Sequence, residues 1–147
     1  MKRHFLVLVG IAAAGTAAIL MDVQQPSVSS GGRAFFSACS FSHQQNCVID
    51  GDTIRYGGVK IRLADIDTPE ISSPKCSDEL QRGEQAKRRL LALINSGPFE
   101  LVQNGRDEDG YGRKLRVVTQ GGRSLGDTLV AEGLARPWDG ARRGWCG

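Results

Sequence analysis

The chain has 147 residues, of which 40% are hydrophobic and 24% charged, a composition that permits a single domain with a real core. The formal net charge of +3 falls to +1 without residues 1–21, which hold Lys2 and Arg3 and no acid, so overall charge gives no argument for a polyanionic partner. Four cysteines without a CxxC pair, together with only two histidines, exclude a zinc site of the Cys and His type.

Residues 1–21 have the pattern of an export signal. Lys2 and Arg3 precede an apolar, uncharged run at residues 5–21, which is a basic region followed by a hydrophobic one. Small-x-small sites lie inside the run, and cleavage there would leave apolar residues on the mature end. An uncleaved membrane anchor through residues 5–21 is therefore a second interpretation, and a buried N-terminal helix is a third. The first two place the domain outside the cytoplasm, periplasmic or secreted.

A linker and three strands are predicted next. Residues 22–38 are rich in Ser, Gly and Gln, which is typical of a linker, so we expect the folded domain at residues 39–147. Strand-like runs follow at residues 47–50, 53–56 and 59–66, and the last two are separated by a two-glycine hairpin connector.

Two helices and two further strands complete the predicted domain. A helix is expected from Ser77, as N-cap, to Gly97-Pro98. Strands follow at residues 99–103 and 114–119, and Ser124 with Asp127 resembles a capping box that begins a second helix. Three strands, a helix, two strands and a helix indicate an α+β protein built on a five-stranded OB-fold barrel, with one helix between strands 3 and 4 and one after strand 5.

The four cysteines are expected to form disulfides. An even number of cysteines in an exported chain favours bonded pairs over free thiols. Three pairings are possible, and sequence order favours Cys39–Cys47 with Cys76–Cys146.

Four short motifs, in order, resemble the staphylococcal nuclease (thermonuclease) family. They are Asp50-Gly51-Asp52-Thr53, Arg62 with the following leucine, Asp67-Thr68-Pro69-Glu70 and Tyr111-Gly112-Arg113. Each motif alone is weak, and the first by itself is mostly a turn signal. The ordered set is specific, and the resemblance runs from about residue 47 to residue 138.

The resemblance implies one bound Ca²⁺ ion. Its protein ligands would be the carboxylates of Asp52 and Asp67 and the backbone carbonyl of Thr68, with Asp50 supporting them from behind. Ca²⁺ takes roughly 6–8 oxygen ligands, so several positions would remain for water and a substrate phosphate. The alternative for these aspartates is a set of solvated turn and strand-end residues.

The resemblance also implies the residues of phosphodiester hydrolysis. Arg62 and Arg113 would hold the phosphoryl oxygens, since a guanidinium matches two oxygens at once. Glu70 would orient or deprotonate the attacking water. The alternatives are ordinary surface roles: a strand residue for Arg62 and a loop residue for Arg113.

Two aromatic residues are candidates for substrate binding. Tyr111 would hydrogen-bond a phosphate, and Trp138 would stack on a base, unless it packs in the core. Gly110 stands where the family often has a basic residue, and Asp65 has no counterpart in the family set. Arg142-Arg143 is a basic run near the end of the chain.

The predicted protein is thus an exported, monomeric, Ca²⁺-dependent nuclease that acts on DNA and RNA with little sequence specificity and leaves 3′-phosphate products. The alternative is a non-catalytic OB-fold module of the cell envelope that binds nucleic acid or protein, because a fold alone does not fix a function.

Overall fold

A computed structural model describes residues 28–147 of the chain. The predicted export signal or anchor, and residues 22–27 of the predicted linker, lie outside the described residues. No helix within the described part is long and apolar enough to span a bilayer. The elements, in chain order, are β1 (Val28–Gly32), β2 (Ser37–Ala38), β3 (Cys47–Asp50), β4 (Thr53–Tyr56), β5 (Val59–Leu63), β6 (Ile66–Asp67), α1 (Ser77–Asn95), β7 (Phe99–Val102), β8 (Lys114–Gln120), β9 (Arg123–Ser124), α2 (Leu125–Ala131) and β10 (Arg136–Pro137).

The described strands form one large mixed sheet and one small one. The large sheet has the order β1-β7-β8-β5-β4-β3-β2, with β9 paired to β8, and the small sheet pairs β10 with β6. Neighbouring strands are antiparallel except at β2–β3 and β5–β8, which are parallel. The protein is therefore an α+β fold with a mixed sheet and two helices, as expected from the order of its elements.

Two tight turns fix the register of the central strands. Gly57 and Gly58 both have positive φ, 56° and 81°, which is the conformation of a two-residue hairpin turn between β4 and β5. The turn between β3 and β4 is closed differently, because Asp50 Oδ1 accepts a hydrogen bond from the backbone N–H of Asp52 at 3.2 Å. These turns bring the motif aspartates to the ends of paired strands.

The third predicted strand is interrupted. A continuous strand over residues 59–66 was expected, whereas β5 ends at Leu63 and the chain turns before β6. The turn is held from inside, since the Arg62 guanidinium donates to the backbone carbonyls of Leu63 and Ile66. The apolar alternation of Val59, Ile61 and Leu63 stops at Asp65, which lies in this turn.

Residues 28–38 differ from the predicted linker because they join the sheet. β1 pairs antiparallel with β7, and β2 pairs with β3. Phe36 is 1% exposed and its ring packs edge-on against Phe99 at 5.6 Å. The Asn95 side chain accepts from the Phe36 N–H and donates to the Phe36 carbonyl. The folded part of the chain thus starts at least eleven residues before the boundary predicted at Cys39.

The core lies between the sheet and the two helices. Helix α1 buries Ala86, Leu90 and Ile94 along one face, and α2 buries Leu125 and Leu129. The remaining large buried side chains come from the strands: Val48, Ile54, Ile61, Leu63, Ile66, Phe99, Leu101 and Val118. The core therefore ties the strands that carry the motifs to the helix that follows them.

The helix ends follow the sequence signals only in part. Ser124 caps α2 as predicted, because its hydroxyl accepts from the N–H groups of Gly126 and Asp127 at 2.9 and 3.3 Å. The N-cap of α1 is Cys76, not Ser77, and no side chain caps it. The Cys76 sulfur is bonded to Cys146, so the disulfide fixes this helix end instead.

All four cysteines are bonded. Cys39 pairs with Cys47 and Cys76 pairs with Cys146, with Cα–Cα distances of 4.9 and 6.1 Å. This is the pairing that sequence order favoured. The first bond joins β3 to the segment just after β2, and the second brings the end of the sequence beside α1.

Candidate active site

Asp52 is a buried carboxylate with a defined orientation. It is 4% exposed. The Thr53 hydroxyl donates to its Oδ1 at 3.0 Å, and the backbone N–H of Thr68 donates to its Oδ2 at 3.2 Å. Asp52 therefore links the β3–β4 turn to the segment after β6. The predicted supporting residue, Asp50, contacts the Asp52 backbone, and burial together with the Asp52 charge raises the pKa of Asp50 to about 7.

Asp67 faces Asp52 from the end of β6. It is buried, and its Oδ1 has no hydrogen-bond partner. Burial raises the pKa of Asp67, and the negative charge of Asp52 raises it further. A buried carboxylate oxygen without a donor is costly. Here that oxygen lies 3.5 Å from the Arg62 guanidinium.

Arg62 lies between the two carboxylates. Its Nη2 is 3.3 Å from Asp52 Oδ2 and 3.5 Å from Asp67 Oδ1. Its Nη1 donates to the carbonyls of Leu63 at 2.5 Å and Ile66 at 2.9 Å. The surface-strand alternative for Arg62 is therefore wrong: the side chain is buried and holds its guanidinium at the paired aspartates.

The turn that contains Asp52 packs closely against the segment that contains Asp67 and Thr68. A Cβ atom at Gly51 would lie 2.6 Å from the Ala86 Cβ on α1 and 3.0 Å from the Thr68 side chain. Real Cβ atoms do not approach so closely, so only glycine allows this turn to lie between α1 and the Thr68 segment. The glycine of the first motif thus sets the spacing between Asp52 and Asp67.

Glu70 lies just beyond the paired aspartates and has two partners. Its backbone N–H donates to Glu79 Oε1 at 3.4 Å. Its carboxylate forms an ion pair with the Arg142 guanidinium. Sequence reasoning gave neither Glu79 nor Arg142 a place in the site. The favoured Cys76–Cys146 bond was the one signal that carried the Arg142 segment towards Glu70.

Arg113 approaches from the loop between β7 and β8. Its Nε donates to Asp109 Oδ2 at 2.6 Å, and its backbone N–H donates to Asp109 Oδ1 at 3.0 Å. The Tyr111 ring lies 5.5 Å below its guanidinium and is 89% exposed. Arg113 thus contacts its own loop rather than the paired aspartates.

Trp138 covers the other side of Arg62. The Arg62 guanidinium lies 5.1 Å from the centre of the Trp138 ring, and the ring is partly exposed. The backbone N–H of Trp138 donates to the backbone carbonyl of Asp65 at 2.9 Å. The Ser124 hydroxyl donates to the Asp65 carboxylate. Asp65, which had no expected role, therefore holds Trp138 and the start of α2 together.

An open groove joins these elements. Arg62, Arg113, Glu70, Tyr111 and Trp138 all line it. Three further cations, Lys60, Arg106 and Arg142, line the same groove. Cations therefore outnumber the acids Glu70 and Asp109, so the groove suits a chain of phosphates. The predicted catalytic and substrate-binding residues meet in this groove, whereas Asp67 and Thr68 line a smaller recess that shares Glu70 and Arg142 with it, and Asp50 and Asp52 line neither.

The paired aspartates fit a hard cation that prefers oxygen ligands. Asp52 Oδ2 and Asp67 Oδ1 both lie within 3.5 Å of Arg62 Nη2. Asp67 Oδ1 accepts no hydrogen bond. Within residues 28–147, no group of three or more His, Cys, Asp or Glu side chains is placed to hold a metal ion. A cation would therefore need oxygens from the backbone, water or substrate in addition to the two carboxylates.

Comparison with known proteins shows which protein family this chain matches. The model of the family described as "Staphylococcal nuclease homologue" matches residues 60–143, a range that includes every proposed catalytic, metal-binding and substrate-binding residue except Asp50 and Asp52. Endonuclease YncB of Bacillus subtilis is 43% identical over 93 residues, which are 60% of this chain and 44% of that protein. The SPbeta prophage-derived endonuclease YokF of the same organism is 42% identical over 93 residues, 60% of this chain and 31% of that protein.

A third relative is more distant. An uncharacterized endonuclease of Haemophilus influenzae is 31% identical over 108 residues, which are 67% of this chain and 55% of that protein. The matched part of this chain spans less than half of each Bacillus relative.

Proposed function

The chain belongs to the staphylococcal nuclease homologue family, and from this premise we propose that it is an exported, Ca²⁺-dependent nuclease. Its substrates are DNA and RNA, cut at phosphodiester bonds with little sequence preference. The observation that carries the proposal is that Arg62, which lines a cationic groove, holds its guanidinium within 3.5 Å of the carboxylates of both Asp52 and Asp67. The relatives named as endonucleases support the same class of activity.

Asp52, Asp67 and the carbonyl of Thr68 would hold the Ca²⁺ ion. The ion, when bound, supplies positive charge that polarises a substrate phosphate and stabilises the charge of the transition state. The buried position of both carboxylates fixes where that charge lies. The backbone bond from Thr68 to Asp52 joins two of the ligands into one rigid unit.

The remaining residues act on water and phosphate. Glu70, at the border of the groove, accepts a hydrogen bond from the attacking water and aligns it with the phosphorus. Arg62 and Arg113 line the same groove and donate to the phosphoryl oxygens, where negative charge gathers in the transition state. Trp138 and Tyr111 offer ring surfaces to bases or sugars of the bound strand.

The finer fold assignment is part of the proposal. We assign the strands β3, β4, β5, β7 and β8 to the five strands of a partly open OB-fold barrel, in which β8 pairs in parallel with β5. We assign α1 to the connection between strands 3 and 4 and α2 to the position after strand 5. Residues 1–21 direct export to the periplasm or medium, or anchor the monomeric enzyme through residues 5–21.

A cleavage assay on the full chain tests this function. Single-stranded DNA, double-stranded DNA and RNA are incubated with Ca²⁺, with Mg²⁺ or with a chelator of divalent cations. We expect cleavage with Ca²⁺, loss of cleavage with chelator, and loss of most turnover in Glu70→Gln. Oligonucleotide binding without any cleavage would instead establish the non-catalytic binding module.

A further inference from the structure

We propose that the segment after β10, residues 139–147, is part of the active site, and that Arg142 in this segment is a positioning residue for Glu70. The inference rests on the proposed function and adds a residue to that site. Neither the four motifs nor the strand order points to this segment. The contact that carries the inference is the ion pair between the Arg142 guanidinium and Glu70 Oε1.

Several contacts hold the segment against the body of the protein. Cys146 is bonded to Cys76 at the start of α1. Arg136 donates to the Gly144 carbonyl at 3.0 Å, and its guanidinium lies 3.7 Å from the centre of the Trp145 ring. Trp145 is 8% exposed. An anchored path therefore delivers Arg142 to Glu70, whereas a loose tail would not hold a guanidinium in one place.

Arg142 lies at the border between two parts of the site. It lines the groove with Arg62 and Arg113, and it also lines the recess formed with Asp67 and Thr68. Glu70 lines both as well. Arg142 therefore contacts the water-orienting carboxylate where the groove meets the paired aspartates.

The ion pair between Arg142 and Glu70 reduces the electrostatic repulsion between Glu70 and Asp67. Asp67 and Glu70 line the same recess, so two like charges lie close together there and repel each other. The guanidinium of Arg142 offsets that repulsion and holds Oε1 in place.

The backbone of Glu70 is fixed independently. Its N–H donates to the carboxylate of Glu79, which also accepts the Lys75 N–H at 2.6 Å. Glu79 is buried. The main chain is thus held from the α1 side and the carboxylate from the segment side, so loss of Arg142 should release only the carboxylate.

Kinetics of Arg142 variants test the proposal. We expect Arg142→Ala to lower kcat by about tenfold to 10²-fold, because a displaced catalytic group costs turnover, while KM for an oligonucleotide changes little. Arg142→Lys should restore part of the loss. In a Glu70→Gln background the same Ala substitution should cost nothing further, since Arg142 acts through Glu70. Arg89→Ala is the matched control, because Arg89 is likewise an arginine with a partly exposed side chain in an ion pair, with Glu132, and lines neither the groove nor the recess.

A raised KM with unchanged kcat would overturn the proposal, because Arg142 would then be a phosphate anchor. Equal losses in the wild-type and Glu70→Gln backgrounds would overturn it as well.

NMR of the full chain separates this inference from the proposed function. The backbone amide signal of Glu70 should move in Arg142→Ala, that of Arg142 should move in Glu70→Gln, and Arg89→Ala should leave Glu70 unchanged. A wild-type chain that cuts no nucleic acid overturns the proposed function, and the role of Arg142 in catalysis falls with it. Active protein without the reciprocal shifts overturns the Arg142 contact alone.

Discussion

Arg113 donates two hydrogen bonds, from its backbone N–H and from its Nε, to the single carboxylate of Asp109 four residues earlier. The two bonds lock the loop and the guanidinium together, while Nη1 and Nη2 remain directed away from Asp109. Slight burial works against ionisation of Asp109, but the bonds from Arg113 lower the pKa of Asp109 below its usual value. The acidic side chain of Asp109 therefore supports the arginine of the same loop.

Asp109→Ala should lower kcat for DNA cleavage by roughly tenfold, since Arg113 loses its orientation but keeps its charge. Steady-state kinetics on a short duplex measures the change. Glu108→Gln is the control, because Glu108 is the next residue in the loop and pairs with Lys114 instead. Equal activity of the two variants would remove Asp109 from the site.

Arg62→Lys and Arg113→Lys should each lose on the order of 10²-fold or more in kcat, as expected when a preorganised donor to the transition state is removed. Lysine keeps the charge but not the planar two-oxygen geometry. Oligonucleotide affinity, measured by fluorescence anisotropy in chelator, should fall far less. Arg123→Lys, on the exposed strand β9, serves as the control. Lost affinity with retained turnover would identify both arginines as ordinary phosphate anchors.

Asp52→Ala and Asp67→Ala should each abolish Ca²⁺-dependent cleavage and Ca²⁺ binding measured by calorimetry, because either change leaves one carboxylate ligand. Circular dichroism should show that the fold is kept. Asp78→Asn, on the exposed first turn of α1, should bind Ca²⁺ like the wild type. Near-normal cutting in limiting Ca²⁺ by either alanine variant would disprove the metal assignment.

Most residues of the site could be predicted from the sequence because they lie close together along the chain. Asp52 immediately precedes β4, Arg62 lies on β5, which a two-glycine turn joins to β4, and Asp67 and Glu70 follow at once. Local turn signals and short motifs were therefore enough to place them.

Contacts between distant segments were not predictable in the same way. Arg142 reaches Glu70 only because a disulfide and the Arg136–Trp145 stacking guide its segment. The strand β1 consists of Ser, Gly and one valine, a composition that reads as linker until its partner β7 is known. Strand formation there comes from tertiary pairing rather than from intrinsic propensity.

Phe36→Ala should destabilise the protein by about 3–5 kcal/mol in urea unfolding, because it empties a buried site between Tyr56 and Phe99. Phe35→Ala is a close control, since Phe35 is 80% exposed and surface substitutions usually stay within about 0.5 kcal/mol. Similar stability of the two variants would mean that residues before Cys39 do not belong to the domain.

Loss of the Cys76–Cys146 bond, in a variant with both residues changed to serine, should lower stability by up to roughly 4 kcal/mol for a sequence separation of 70. Turnover should fall as well, because the bond holds the segment that carries Arg142. The Cys39–Cys47 bond closes a sequence separation of only 8 and lies away from the groove. The variant with both of these cysteines changed to serine should therefore keep its turnover. Non-reducing peptide mapping of exported protein should find both bonds and no free thiol.

The pairing of β1 with β7 also affects the tendency of the protein to self-associate. A strand at the rim of a sheet exposes unpaired N–H and C=O groups and is a template for joining other chains. The backbone of residues 28–32 occupies those groups on β7. Proteolytic cleavage before Phe36 would therefore move the edge of the sheet from the Ser- and Gly-rich β1 to the more apolar Phe99–Val102 strand and favour intermolecular strand addition.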